Sequence, residues 1–252
     1  MNNNIELRPS IDTIKRLTKD IKDIQKNPLH DNGIYYIHDD ENIMIGHALI
    51  IGPKDTPYEN GFYFFDFLFP NDYPHNPPTL TFMSNGNNIR FNPNLYRSGK
   101  VCISILNTWR GDQWTCCQTI STILLTLCTV LNDNPLLNEP GILPSNKDIP
   151  NYNNIIRYEN VNVCIVHILK YYILNDVKPY FLFKDICCKI FNERKDSIIK
   201  QLQWFDDNNI IKTRGGTLLK TSMYGLSVNI SKKNINNIIN EIENLELNNT
   251  LK

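Results

Sequence analysis

Two asparagines, a proline and a cysteine hold the most legible chemistry in this chain. Residues 90–106 read RFNPNLYRSGKVCISIL, so a proline-fixed turn, Asn92-Pro93-Asn94, is followed by a Ser98-Gly99 reversal and then by Cys102. A cysteine at the exit of a turn, with an amide side chain nearby, is a nucleophile able to carry an acyl group as a thioester. The competing expectation for any single cysteine is a buried and inert side chain. No histidine fits as the base of a cysteine hydrolase. His75 lies on a proline-rich crossing and reads as a surface polar residue.

The elements that must present this stretch follow from periodicity. Ile11, Ile14, Leu17, Ile21 and Ile24 recur at helical spacing, with Ser10 or Asp12 as cap and Asn27-Pro28 as stop. The basic outer face of that helix, Lys15, Arg16, Lys19 and Lys22, reads first as a solvated face. Four strands come next, at 34–37, 43–51, 61–69 and 79–83, as β-branched or aromatic runs divided by turn signals. Their short connections favour an antiparallel meander. Residues 70–78 hold so many prolines that they predict a rigid extended crossing rather than a rung of the sheet. After the cysteine, a polar loop at 107–113 has Trp109 and Trp114 near its ends. Residues 119–131 predict a largely buried helix, stopped at 132–135, and 136–150 a long Pro/Asn-rich loop of the kind that carries function.

Helical periodicity resumes at 160–174 and 180–205, broken at 176–179. Arg214-Gly215-Gly216 marks a loop, and 231–247 a last amphipathic helix through Ile235, Ile238, Ile239, Ile242 and Leu245. The chain therefore divides into a flexible start at 1–9, a core at 10–160, a helical extension at 161–213, and a loop with a terminal helix at 214–252. The tail beyond Asn248 is expected to fray.

Composition narrows the classes. Twenty-six basic residues balance 26 acidic ones, which gives no signal for nucleic acid. No apolar run is long enough to span a bilayer, and MNNNIELRPS has no signal-peptide core, so no membrane partner is expected. Seven cysteines, among them the adjacent pairs Cys116-Cys117 and Cys187-Cys188, resemble no secreted disulfide framework. They point to a reducing cytoplasmic or nuclear setting. No paired Cys/His spacing offers a metal site.

The assembled order is amphipathic helix, four-strand meander, proline crossing, Asn-Pro-Asn turn, cysteine, tryptophan loop and helix. It resembles the catalytic domain of the ubiquitin-conjugating enzyme (E2) family. Ile51-Gly52-Pro53 with Asp55-Thr56-Pro57-Tyr58 and Gly61 looks like the family's turn between its second and third strands. Tyr73-Pro74-His75-Asn76-Pro77-Pro78 looks like its proline crossing. Asn92-Pro93-Asn94 stands where the family usually has His-Pro-Asn, with Cys102 at the spacing of the active cysteine, and Trp114 and Asn138-Glu139-Pro140 complete the set. Several motifs in the right order are far more specific than any one. The likeness spans roughly residues 10–160. It implies an α+β UBC fold of N-terminal helix, four-stranded antiparallel meander and C-terminal helices, here with an extra helical extension. The RFNPNLY form, the KVCISILNTW continuation, the enlarged loop before Trp114 and the NEPG at 138–141 look most like the module of the hybrid conjugating/ligase enzymes of the BRUCE type.

What the resemblance implies is a cysteine that takes ubiquitin from an activating enzyme (E1) as a thioester and yields it to a protein substrate's lysine or to a ligase (E3). No cofactor is implied, because ATP is used upstream. Cys102 would be first the attacking thiolate and then the leaving group. Asn94 would donate to the oxyanion or brace the loop carrying the acceptor lysine, with Asn92 and Pro93 as its platform. Ser104 stands where many members have Asp, and Ser145 is the candidate beyond the Asn138-Glu139-Pro140 segment for helping the lysine lose its proton. Lys15, Arg16 and Lys19 would meet the activating enzyme, and His75 and Trp114 belong to the surface that faces ligases. Two alternatives stand beside this reading: an E2 for another ubiquitin-like modifier, and a non-catalytic E2-like variant that binds ubiquitin. The second sits poorly with an intact Cys102.

Overall fold

The computed structural model describes residues 9–245. The expectations for the first eight residues and for the tail beyond Asn248 lie outside the described residues. Helix α1, Ile11–Lys26, is capped by Ser10, whose hydroxyl accepts from the Thr13 N–H. Its buried face is Thr13, Leu17, Asp20 and Ile24, rotated from the expected isoleucine stripe; Ile11 is left 72% exposed. Polar anchors account for the rotation. The Thr13 hydroxyl donates to the Asn71 carbonyl at 2.8 Å, and the Asp20 carboxylate accepts from the Tyr73 hydroxyl, so hydrogen bonds to the proline crossing fix the helix more firmly than two more isoleucines would.

The four strands, β1 Ile34–His38, β2 Ile45–Ile51, β3 Phe62–Leu68 and β4 Thr79–Phe82, form one antiparallel sheet in sequence order. Strand β3 reads FYFFDFL without alternation because both its faces are covered. Tyr63 and Phe65 pack on Phe82 on one side, while Phe64 on the other meets Tyr180 and Phe183. The crossing after β3 contains a cis Tyr73-Pro74 bond. Helix α2, Ile120–Val130, starts at a capping box between Thr119 and Thr122 and buries Ile120, Ile123, Leu124 and Leu127.

The boundary expected at residue 160 falls inside continuous helical chain. Helix α3, Ile149–Glu159, runs directly into wider-wound turns at Asn160–His167 and Leu169–Ile173. Asn160 ties this rod to the sheet, accepting from the Tyr63 hydroxyl at 2.6 Å and donating to the Glu59 carbonyl at 2.8 Å. Helix α4, Lys184–Asp207, follows. The stretch expected to be only a loop holds a hairpin, β5 Thr217–Lys220 with β6 Ser227–Ile230. Strands of four residues are too short for period-two alternation to stand out. Helix α5, Lys232–Asn244, capped by Ser231, closes the described chain. This extension lies against the outer face of the sheet: the Tyr180 hydroxyl donates to the Met83 carbonyl at 2.9 Å, and Arg194 to the Asn60 side chain at 3.1 Å.

Candidate active site

Asn94 and Cys102 hold each other by two backbone-directed bonds. The Cys102 N–H donates to the Asn94 carbonyl at 2.8 Å, and Asn94 Nδ2 donates to the Cys102 carbonyl at 2.6 Å. The main chain of the cysteine is thus pinned at both its polar groups, and the side chain is the part left to react. Thr108 completes the brace from the following loop, accepting from the Ile103 N–H at 3.1 Å. Cys102 is 2% exposed. A cavity of about 190 Å³ lies beside it, lined by Asn94, Ile103, Ser104, Trp109, Val130 and Asn138 among others. A larger open groove of about 860 Å³, between Trp109-Arg110 and Pro140-Gly141, continues from the same loop. Gly111, at φ +125°, lets that loop press down on Ser104, where a Cβ would stand 3.1 Å from the serine Cβ.

The position that holds histidine in the resemblance is filled by a saturated amide. Asn92 is fully buried. Its Nδ2 donates to the Tyr58 hydroxyl at 2.8 Å and to the Val130 carbonyl at 2.7 Å, while its Oδ1 accepts from the Asn94 N–H at 2.9 Å. Asn138 reaches the same Val130 carbonyl at 2.9 Å. Tyr58 donates its own proton to the Phe91 carbonyl at 2.8 Å, and burial pushes its phenol well above the usual range. The Gly52 turn delivers that tyrosine: a Cβ at Gly52 would lie 1.6 Å from the Tyr58 carbonyl oxygen. Neither Tyr58 nor Thr108 stands out in the sequence as a site residue, because each acts through partners far away or through the backbone.

The Asn94 side chain turns toward the Cys102 backbone: its Nδ2 donates to the Cys102 carbonyl, and its Oδ1 is buried with no partner. In this conformation it braces the nucleophile's own backbone. Pro93 is buried in the turn, and Ser104 opens a short helical turn, Ser104–Leu106. Ser145 lies in an exposed turn and lines neither cavity. The histidines make their contacts elsewhere: His30 with Tyr35, His38 with Tyr36, His47 with Asp66, His75 with Cys116 and His167 with Tyr171. No cluster able to hold a metal ion occurs among the described residues.

On the surface that was expected to meet partners, Lys15, Lys19 and His75 are exposed. Arg16 and Trp114 are not free in the same way. The Arg16 guanidinium bonds Asp20 at 2.9 Å, the Gln118 carbonyl at 2.6 Å and the Cys116 carbonyl, fastening α1 to the tryptophan loop. Trp114 is only 9% exposed, donates from Nε1 to the Pro74 carbonyl at 2.7 Å, and packs on Tyr73. Both tie elements together, Trp114 from a buried position and Arg16 from a half-buried one.

Comparison with known proteins agrees with this geometry. The family profile described as "Ubiquitin-conjugating enzyme" matches residues 16–169. Ubiquitin-conjugating enzyme E2 Z of Xenopus tropicalis is 43% identical over 166 residues, covering 65% of this chain and 52% of that protein. The probable ubiquitin-conjugating enzyme protein 17 of Caenorhabditis elegans is 32% identical over 93% of this chain and 34% of its own length. The human dual E2 ubiquitin-conjugating enzyme/E3 ubiquitin-protein ligase BIRC6 is 36% identical over 71% of this chain and 4% of its own length. The chain thus spans about half, or less, of the length of these curated relatives. With the family profile covering the turn, the cysteine and the helices that hold them, the chain belongs to the ubiquitin-conjugating enzyme family.

Proposed function

We propose that the chain performs the family's transfer reaction through Cys102. Its thiolate attacks the thioester carbonyl by which an activating enzyme carries ubiquitin's C-terminus. A new carbon–sulfur bond forms, and the activating enzyme's thiolate leaves. In the second step the amine of an acceptor lysine, or the thiolate of a ligase, attacks the same carbonyl and Cys102 departs. ATP is consumed upstream, so this site works without a cofactor. The observation that carries the reading is the two-way brace between Asn94 and Cys102, which fixes the nucleophile's backbone without any base beside it. A reaction whose acyl group arrives already activated calls for positioning rather than a triad.

No carboxylate lines the cavity or the groove. The acceptor amine therefore gives its proton to water, and discharge to free lysine should climb with pH toward the amine's ordinary pKa, about 10.4. A rate that levels off well below that would reveal a dedicated base. Lys15 and Lys19 are offered to the activating enzyme, and the exposed His75 side to a ligase. The cysteine usage, unlike a secreted disulfide framework, supports a cytoplasmic or nuclear setting for this activity. No helix among the described residues is long and apolar enough to cross a membrane.

Incubation with activating enzyme, ATP and ubiquitin tests the reading. It expects an adduct that thiols cleave and that Cys102→Ser converts to a thiol-resistant ester. An adduct with a different modifier alone would move the chain to that modifier, and none with any would sink the catalytic reading.

A further inference from the structure

The turn that carries Asn94 is held from outside by a single cation. Arg90 donates from Nε to the Asn92 carbonyl at 3.0 Å and from Nη2 to the Pro93 carbonyl at 2.6 Å, so one planar guanidinium spans two consecutive carbonyls of the turn. Aromatic rings hold the guanidinium in place. Its carbon lies 3.4 Å from the centroid of Tyr96 and 5.0 Å from that of Tyr224. Tyr96 belongs to the same stretch of chain. Tyr224 comes from the tip of the β5–β6 hairpin in the C-terminal extension.

Three further contacts fasten that tip to the site. The Tyr224 hydroxyl donates to the Glu139 carboxylate. Arg97 donates to the Tyr224 carbonyl at 2.7 Å, and the Met223 N–H to the Asp148 carboxylate at 2.7 Å. Glu139 follows Asn138, which bonds the Val130 carbonyl beside Asn92, and precedes Pro140-Gly141 on the wall of the groove. Tyr224 itself sits at φ +59°, a left-handed conformation that is costly for a bulky side chain. Gly225 beside it takes the same conformation, φ +60°, at no steric cost, whereas local preference does not explain a tyrosine there. The contacts do.

We infer that Tyr224 is a positioning residue for the transfer step, acting through Arg90 on the Asn92–Asn94 turn and through Glu139 on the loop that walls the groove. The hairpin is then a working part of the active site, supplied by the extension. This rests on the reading of Cys102 as the acyl carrier. Tyr224 touches none of the reacting atoms; it sets the platform that holds the Cys102 backbone.

Two variants of the full chain test it. Tyr224→Gly removes the ring and relieves the left-handed backbone, so the side-chain contacts are lost without added backbone strain. Tyr224→Phe keeps the ring over Arg90 and loses only the bond to Glu139. Charging by the activating enzyme should stay within about twofold of wild type in both, because small misplacements weigh most on the step that needs an aligned acceptor. Discharge of the preformed thioester to free lysine should fall about tenfold in Tyr224→Gly, with most of the rate rescued in Tyr224→Phe. Discharge at the wild-type rate in Tyr224→Gly would overturn the proposal. So would equal losses in charging and discharge with a lowered melting temperature, which is what a purely structural role predicts. A wild-type chain that never charges would instead refute the underlying reading of Cys102.

Discussion

Among seven cysteines, exposure and the bonded turn point to different ones. Cys116 and Cys117 are exposed, whereas Cys102 is buried, and only its bonded turn singles it out. That turn was legible because its parts lie close together in the chain: Asn92, Pro93, Asn94 and Cys102 form a local pattern. The direction of the Asn94 amide was not, since it depends on which neighbour claims each end of it. The role of Asn92 was hidden too, because its partners Tyr58 and Val130 arrive from two other elements. Replacing Asn92 by Ala leaves buried polar groups unpaired. We expect a loss of about 1–3 kcal/mol in denaturant unfolding, and an unchanged midpoint would contradict the hub. Glu159 offers a second test at this scale. Burial raises its carboxyl above the usual range, against the pull of hydrogen bonds from Asn87 and Asn162. A raised folded-state pKa gives stability that is full below the unfolded value and lost as pH rises through the folded one. Both donors bond the same oxygen, which a carboxamide can replace. Glu159→Gln should therefore be more stable than wild type at pH 7 and converge with it in acid; equal stabilities at pH 7 would refute this.

At the scale of elements, the meander, α1 and α2 were readable from their periods and caps, while the orientation of α1 was not. Isoleucine spacing alone could not foresee that Thr13 and Asp20 would turn inward to bond the proline crossing. The same long-range bonding explains why Arg16 and Trp114, which look like contact residues in sequence, tie elements together. Trp114→Phe keeps an aromatic ring but removes the bond to the Pro74 carbonyl and leaves a cavity where the larger indole packed, for an expected loss of at least about 1–3 kcal/mol in denaturant unfolding. Lys15→Glu with Lys19→Glu should leave unfolding unchanged and slow charging, with the defect shrinking as salt rises. A charging rate indifferent to both lysines would move the activating-enzyme contact off this helix.

For the whole molecule, the boundary expected at residue 160 falls inside continuous helical chain, and the extension packs on the sheet. The aromatic run of β3 carried that information in the sequence: a strand with no polar face needs cover on both sides. What lay beyond reach was the identity of the cover, since the contacts of Phe64 with Tyr180 and Phe183 join positions far apart in the chain. Phe64→Ala should cost about 3–5 kcal/mol. It should also shift a single unfolding transition as a unit; two separate transitions would mean that core and extension fold independently. The hairpin went unforeseen because its strands are short and its tip is fixed by contacts with the active-site loops.

The central claim is that the acyl group rides on Cys102, and peptide mapping of the charged protein addresses it most directly. After brief reaction with activating enzyme, ATP and ubiquitin, the account predicts ubiquitin's C-terminus on the peptide containing Cys102. It also predicts undiminished charging when Cys116 and Cys117 are both replaced by Ser. Ubiquitin found on Cys116 or Cys117, with Cys102 unmodified, would contradict it.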